Sequence, residues 1–253
     1  MRAVLAILAV ALLAAVATAC APEPQPVPAF AERFETIDEE RWQVADGWSN
    51  GDWTANHWRE EQIQIAPHGI DIVLDAATDG DKAYTSGELQ SRETFRYGYF
   101  ETRMRVPRGS GLVTGFFTYT RDGHERTWEE IDVEILGRDT RSIQLTYFRR
   151  GRDHIVTRPL GFDAASDFHN YGFEWTPDKL RWYVDGTLVH EELGASAPLP
   201  RAAQRLYLHL WNTETLTDWL GSIDPDQRPW RLSVGCIAFA PRYEGRPLCV
   251  SSS

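Results

Sequence analysis

The chain lacks a basic footprint. Lys and Arg number 26 against 37 Asp and Glu, a formal net charge of −11. With no cationic surface to neutralise phosphates, the composition argues against nucleic-acid partners. Helical periodicity is missing too: from about Ala29 onward no long stretch repeats apolar residues at the spacing of a helix face, and no internal repeat is visible. Long apolar runs are confined to residues 3–17, too short for a permanent membrane span. Cysteine is scarce, three in 253 residues, and neither Cys236 nor Cys249 has neighbours suited to catalysis.

The N-terminus carries more information. Met1, Arg2, the apolar run 3–17 and Ala17-Thr18-Ala19 give the charged, hydrophobic and small-residue regions of a secretory signal, so residues 1–19 read as a signal peptide. Cys20 follows at once. The site reads either as a lipoprotein box, with Cys20 acylated and lipid-anchored, or as an ordinary signal peptide with a disordered mature end. Both place the protein outside the cytoplasm, as a periplasmic or outer-membrane lipoprotein or a secreted protein. Residues 20–29 form a proline-rich, semi-rigid linker. In an oxidising compartment Cys236 and Cys249 read as a disulfide tying the C-terminal tail to the last strand.

Residues 30–253 read as one domain, expected to be a monomer. At 42% apolar and 12% aromatic, the chain can bury one substantial core. Short alternating runs broken by Gly, Pro and Asp point to an all-β sandwich of the jelly-roll type. Ile70, Ile72 and Leu74 alternate with polar neighbours, as do Gly98, Phe100, Thr102, Met104 and Val106 with Tyr97, Tyr99, Glu101, Arg103 and Arg105. Residues 179–184, Asp185-Gly186 and residues 187–190 read as a hairpin, since Asp-Gly supplies the positive φ angles of a tight primed turn.

The most informative segment runs from Trp128 to Gly137, with Glu130-Ile131-Asp132-Val133-Glu134 at its centre. As a strand, it sends Ile131, Val133 and Ile135 to the core and sets Glu130, Asp132 and Glu134 on the opposite face. A carboxylate beside other carboxylates keeps its proton to higher pH, the property a general acid needs near neutrality. Glycosidic cleavage uses two such groups, with carboxyls roughly 5 Å apart for the retaining route. The α-carbons of Glu130 and Glu134 on a straight strand lie roughly 13 Å apart, so that route requires a concave strand and side chains leaning together. Bare Glu-x-Asp-x-Glu also suits a solvated strand face. Trp128, Phe117, Tyr119, Trp211 and Trp219 shift the balance, because aromatic faces stack on the apolar CH surfaces of sugar rings.

These residues resemble the catalytic motif of glycoside hydrolase family 16, in the uninterrupted form of lichenases and xyloglucan-modifying enzymes rather than the bulged form of most laminarinases. Trp48-Ser49-Asn50-Gly51, Gly87-Glu88, Phe116-Phe117-Thr118-Tyr119, Trp182-Tyr183-Val184-Asp185-Gly186 and Asp218-Trp219-Leu220-Gly221-Ser222 fall in matching order. The resemblance implies a concanavalin-like β-jelly roll of two bent antiparallel sheets, with Glu130 as nucleophile, Glu134 as general acid then base, and Asp132 assisting them. Asn50, Glu88, Phe117, Tyr119, Trp128 and Trp211 match positions that line the sugar subsites, and Tyr147, His209 and Trp219 complete the expected sugar contacts. His209 also reads as a satisfied, partly buried histidine. The implied activity is a retaining endo-β-glycanase that cuts internal bonds of a β-1,3/1,4-linked glucan or a related, succinoglycan-like bacterial exopolysaccharide, without cofactor. A transglycosylase or a non-catalytic carbohydrate-binding protein on the same fold are the alternatives.

Several positions depart from lichenases. Gln90 stands for their Arg, Thr146-Tyr147-Phe148 for Asn-Tyr-Tyr, His209 for Asn, and Asn56 and Ser86 for bridging cysteines. Gly235 stands where the family often carries a calcium-binding Asp, so no metal is expected, although lichenases commonly bind structural calcium. Residues 210–219 are also similar to succinoglycan-cleaving endoglycanases. Arg149, Arg150 and Arg152 bracket a turn that reads either as a cationic cleft rim for an acidic polysaccharide or as a solvated hairpin tip.

Overall fold

The structure, a computed structural model, describes residues 27–120 and 127–250; the signal segment 1–19, Cys20 and most of the linker lie outside the described residues. The strands are β1 (Phe30–Glu32), β2 (Trp42–Val44), β3 (Asn56–Trp58), β4 (Ile63–Ala66), β5 (Gly69–Asp79) and β6 (Lys82–Ser86). They continue with β7 (Glu88–Ser91), β8 (Gly98–Arg105), β9 (Leu112–Tyr119), β10 (Glu129–Leu136), β11 (Ser142–Arg149) and β12 (Arg152–Pro159). The last are β13 (His169–Trp175), β14 (Lys179–Val184), β15 (Thr187–Leu193), β16 (Arg205–Asn212) and β17 (Trp230–Ala240), with one short helix, α1 (Thr217–Leu220), before β17.

These strands make two packed sheets, as a β-jelly roll requires. One has the order β12-β11-β10-β9-β16-β7-β2; the other runs β15-β14-β13-β8-β17-β5-β6-β3, with β1 beside β17 and β4 beside β5. One pairing corrects the all-antiparallel expectation. β3 lies parallel to β6, which is allowed because the chain between them is long enough to cross over through β4 and β5. The Asp185-Gly186 turn joins β14 to β15 with φ of 47° and 77° at its two residues, the positive pair a primed turn needs.

Alternation builds the core. Ile131, Val133 and Ile135 of β10, Ile143, Leu145 and Tyr147 of β11, and Leu206, Leu208 and Leu210 of β16 are buried against Phe100, Tyr171, Phe173, Trp175 and Trp182 of the other sheet. Each fully buried side chain of this size is worth about 1.5–3 kcal/mol. Trp182 also donates its indole N–H to the main-chain oxygen of Asp132 at 3.0 Å. That bond crosses the core and pins the backbone of the strand bearing the three acids.

On β17 the inward positions are Trp230, Leu232 and Val234, then Ile237 and Phe239. A register shift between Val234 and Cys236 changes the parity, as a one-residue bulge does. Cys236 and Ala238 therefore face outward, where Cys236 is bonded to Cys249. The tail this anchors covers Glu101 of β8, which the strand's alternation would otherwise turn to water. Glu101 Oε1 accepts the backbone N–H groups of Leu248 (2.8 Å) and Cys249 (2.6 Å), and Oε2 accepts the Tyr99 hydroxyl at 2.5 Å. Burial raises the pKa of Glu101 against the lowering effect of these donors.

The disulfide closes a segment of 13 residues, a loop whose closure is worth about 3 kcal/mol in the unfolded chain. Paired Cys236→Ser and Cys249→Ser replacement is expected to lower Tm by about 10 °C with kcat/KM unchanged, since the tail lies on the sheet away from the acids. Scanning calorimetry and initial rates check this; an unchanged Tm contradicts it.

Candidate active site

The outer face of the β12-to-β2 sheet carries a cleft of about 1180 Å³. Its floor is a grid set by strand register. One cross-strand row runs Glu88, His209, Gly115, Glu134, Gln144; the next runs Gln90, Tyr207, Phe117, Asp132, Thr146, Ile155; the third runs Tyr119, Glu130, Phe148. The three acids of β10 thus lie side by side across the middle of the cleft.

Their partners differ. Trp128 donates its indole N–H to Glu130 Oε2 at 2.6 Å, and the Asp132 carboxyl also hydrogen-bonds Glu130, an interaction that lowers the Glu130 pKa and raises that of Asp132. Glu134 accepts one N–H, from Gln144 Nε2 at 2.9 Å, and Gln144 is itself fixed by the Trp219 indole N–H on Oε1 at 3.1 Å. Desolvation is the largest influence on all three acids. It lifts Glu130 to about 7 and Glu134 to about 8, the latter also through the charge of Glu130. Asp132, buried between two carboxylates, is raised well above the ordinary range by desolvation first and then by both neighbours. With two donors against one, Glu130 is the better supported as an anion, and Asp132, hydrogen-bonded to Glu130, keeps its proton.

A loop pinned from below supplies one wall. Lys82 is buried and donates its ammonium to the main-chain oxygens of Gly51 (3.0 Å) and Thr54 (2.8 Å). This positions Asn50, whose Oδ1 accepts the Trp58 indole N–H at 3.1 Å, and Trp53, which packs edge-on against Trp211. Trp211 in turn meets Trp219 at 6.0 Å. On the opposite wall Trp128 and Phe148 stack at 4.4 Å, 14° from parallel.

Of the residues expected around the sugar, Asn50, Glu88, Phe117, Tyr119, Trp128, His209, Trp211 and Trp219 line this cleft beside Glu130, Asp132 and Glu134. Tyr147 does not. It pairs with Ile131 on the core face, because the period of two that turns Thr146 and Phe148 to the cleft must turn the residue between them inward. Two of the three turn arginines also need correction as a cleft rim. Arg149 pairs with buried Glu129 on that same inner side, and Arg152 is the cross-strand neighbour of Arg149. Trp53, Gly115, Gln144, Ile155 and Tyr207 also line the cleft and are not among the expected contacts, and Leu216 joins them from the segment that resembles the succinoglycanase cleft wall. Gln144 was within reach, being two residues from Thr146 on the cleft parity and cross-strand from Glu134. Ile155 carries no chemical signal.

The surroundings of Gly235 do not fit a calcium ion. A Cβ there would lie 3.3 Å from Arg103 Nη1, so a guanidinium stands where a carboxylate ligand would project. Among the described residues no group of three His, Cys, Asp or Glu is placed to hold a metal.

The glycosyl hydrolases family 16 profile matches residues 50–228. The chain is 38% identical over 194 residues to the beta-glucanase of Bacillus amyloliquefaciens, covering 76% of this chain and 80% of that one. It is 34% identical over 213 residues to the endo-1,3-1,4-beta-glycanase ExoK of Rhizobium meliloti strain 1021, covering 83% and 78%. A solved prokaryotic beta-1,3-1,4-glucanase (lichenase) derived from a mouse hindgut metagenome superposes with a TM-score of 0.79 at 32% identity, over 85% of this chain and all of that one.

The raised carboxyls predict a pH dependence of stability. A carboxyl with a folded pKa above its unfolded value favours folding while protonated, and that contribution is lost as pH rises from the unfolded value through the folded one. With Glu130 near 7 and Glu134 near 8, Tm is expected to fall between about pH 5 and pH 8. Glu134→Gln should flatten this decline and be the more stable protein at pH 8. A wild-type Tm that rises over the same window would contradict the assignment.

Proposed function

The chain belongs to glycosyl hydrolase family 16, and from that membership we propose that it is a retaining endo-β-glycanase cutting a β-1,3-1,4-linked glucan or a related bacterial exopolysaccharide. The observation that carries the mechanism is the unequal bonding of the two glutamates. Glu130, held by the Trp128 indole and the Asp132 carboxyl, is the carboxylate better supported as an anion and attacks the anomeric carbon. Glu134, left with one amide donor and lifted to about 8, holds the proton it gives to the departing glycosidic oxygen.

The first step forms the ester bond between Glu130 and the sugar as the glycosidic bond breaks, and Glu134 emerges as a carboxylate. Glu134 then takes a proton from water. The resulting hydroxide equivalent attacks the anomeric carbon and frees Glu130, with net retention of configuration. Asp132 keeps its proton through the cycle and restrains the charge on Glu130. Asn50, His209 and the indoles of Trp53, Trp128, Trp211 and Trp219 are the groups available to hold the glycan, by hydrogen bonds and by ring stacking.

A glucan is supported over other glycans by the likeness to a beta-glucanase and to a beta-1,3-1,4-glucanase, and a succinoglycan-like polymer by the likeness of residues 210–219. The signal segment supports export, and Cys20 a lipid anchor.

Mass spectrometry after incubation with mixed-linkage glucan, laminarin, xyloglucan and succinoglycan tests the activity. Defined oligosaccharides are expected from at least one polymer, with none from a Glu130→Gln control, and Glu134→Gln should lose on the order of 10²–10⁴-fold in rate. Binding without release would replace the enzyme by a lectin-like protein. The pH profile of kcat/KM should be a bell with limbs near 7 and 8, apparent values that belong to the coupled pair.

A further inference from the structure

The row Glu88, His209, Gly115, Glu134, Gln144 has one position without a side chain, and it falls between the imidazole and the acid. The imidazole beside it is tightly held. His209 Nδ1 lies 2.9 Å from Glu88 Oε2, and the other oxygen of Glu88 accepts Gln90 Nε2 at 2.6 Å. The ring stacks on Trp58, 5.5 Å away and 14° from parallel, and meets Phe117 at 4.7 Å. With Nδ1 committed to the carboxylate, the nitrogen left for a ligand is Nε2. That atom overhangs Gly115: a Cβ on residue 115 would fall 2.6 Å from Nε2 and 2.9 Å from Cδ2, closer than van der Waals contact allows. The glycine therefore makes the room the ring occupies, and the overhang displaces Nε2 toward the strand of Glu134.

We propose that Gly115 and His209 are a matched pair that reads one sugar hydroxyl beside Glu134, with Glu88 as the positioning residue that fixes the ring. The proposal rests on the glycanase reading and adds a specificity determinant to it. A hydroxyl suits Nε2 because it can donate to the neutral nitrogen or accept from the protonated one. The side chains of His209 and Glu88 are only 8% and 3% exposed. A bound ring lacking the hydroxyl, or carrying a substituent on it, would seal a polar nitrogen away from water without a partner, which is strongly disfavoured. The ligand class is an unsubstituted β-linked hexopyranose at that point of the chain.

The test is a double-mutant cycle of wild type, Gly115→Ala, His209→Ala and the double variant. It is read as KM and kcat on mixed-linkage β-glucan and as calorimetric Kd for cellotetraose in a Glu130→Gln background, with Tm as the folding control. Each single variant is expected to raise KM and Kd roughly tenfold with kcat within about threefold. The double variant should be no worse than His209→Ala alone, because the added methyl acts only through the ring. Glu88→Gln, which still offers Nδ1 an acceptor, should keep most of the affinity that Glu88→Ala loses. Additive losses in the cycle, unchanged KM and Kd in His209→Ala, or equal losses in the two Glu88 variants overturn the pair while wild-type turnover leaves the glycanase reading standing. A wild type that neither turns over the glucan nor binds the tetraose overturns both.

Discussion

Three carboxyl groups placed two residues apart on one strand, under a roof of indoles, cannot all ionise, and the rest of the molecule is built around that constraint. The same alternation that turns Glu130, Asp132 and Glu134 to the cleft buries Ile131, Val133 and Ile135 in the core. A one-residue slip of β10 would drive three acids into the core and three branched aliphatics into the cleft, so register is enforced from both faces at once. The Trp182 indole, reaching across from the other sheet to the main chain of Asp132, fixes the strand at the midpoint of its acidic run. The strand is costly because desolvation disfavours each negative charge, and the large aromatic core beneath it supplies the burial that offsets this cost.

Within that frame, small differences in hydrogen bonding create a chemical asymmetry. Two donors on Glu130 and one on Glu134 separate acids of the same type into one readier to be an anion and one readier to hold a proton. Each donor has its own support. Trp128 is stacked on Phe148, Gln144 is held by Trp219, and Trp219 belongs to an aromatic run with Trp211 and Trp53. The aromatic residues that suit a pyranose ring are thus also the ones that set the electrostatics of the acids.

Much of this was legible in the sequence, because strand alternation is a strict code. The faces of β10 and the Asp185-Gly186 hairpin follow from period and turn chemistry, and Cys236 and Cys249, the two cysteines left in the folded part, are bonded as expected. Cleft residues such as Asn50 and Glu88 came from resemblance alone, and Trp211 and Trp219 needed it to strengthen their aromatic character, since nothing local distinguishes a stacking indole from a core indole. Tyr147 shows the cost of carrying a motif over whole: alternation places it opposite Thr146 and Phe148. Arg149 read as a free surface charge because its partner, Glu129, becomes its neighbour only through the pairing of β10 with β11. The parallel pairing of β3 with β6, the overhang of His209 above Gly115 and the capping of Glu101 by the C-terminal tail depend on contacts between distant segments, which no local pattern encodes.

The division of labour between the two glutamates is tested most directly by azide rescue with an activated aryl β-glycoside, reading the anomeric configuration of the glycosyl azide by proton NMR. If Glu130 is the nucleophile, Glu134→Ala should form the glycosyl-enzyme and yield the β-azide, while Glu130→Ala should admit azide directly and yield the α-azide. The reverse pairing, α from Glu134→Ala and β from Glu130→Ala, would contradict the account.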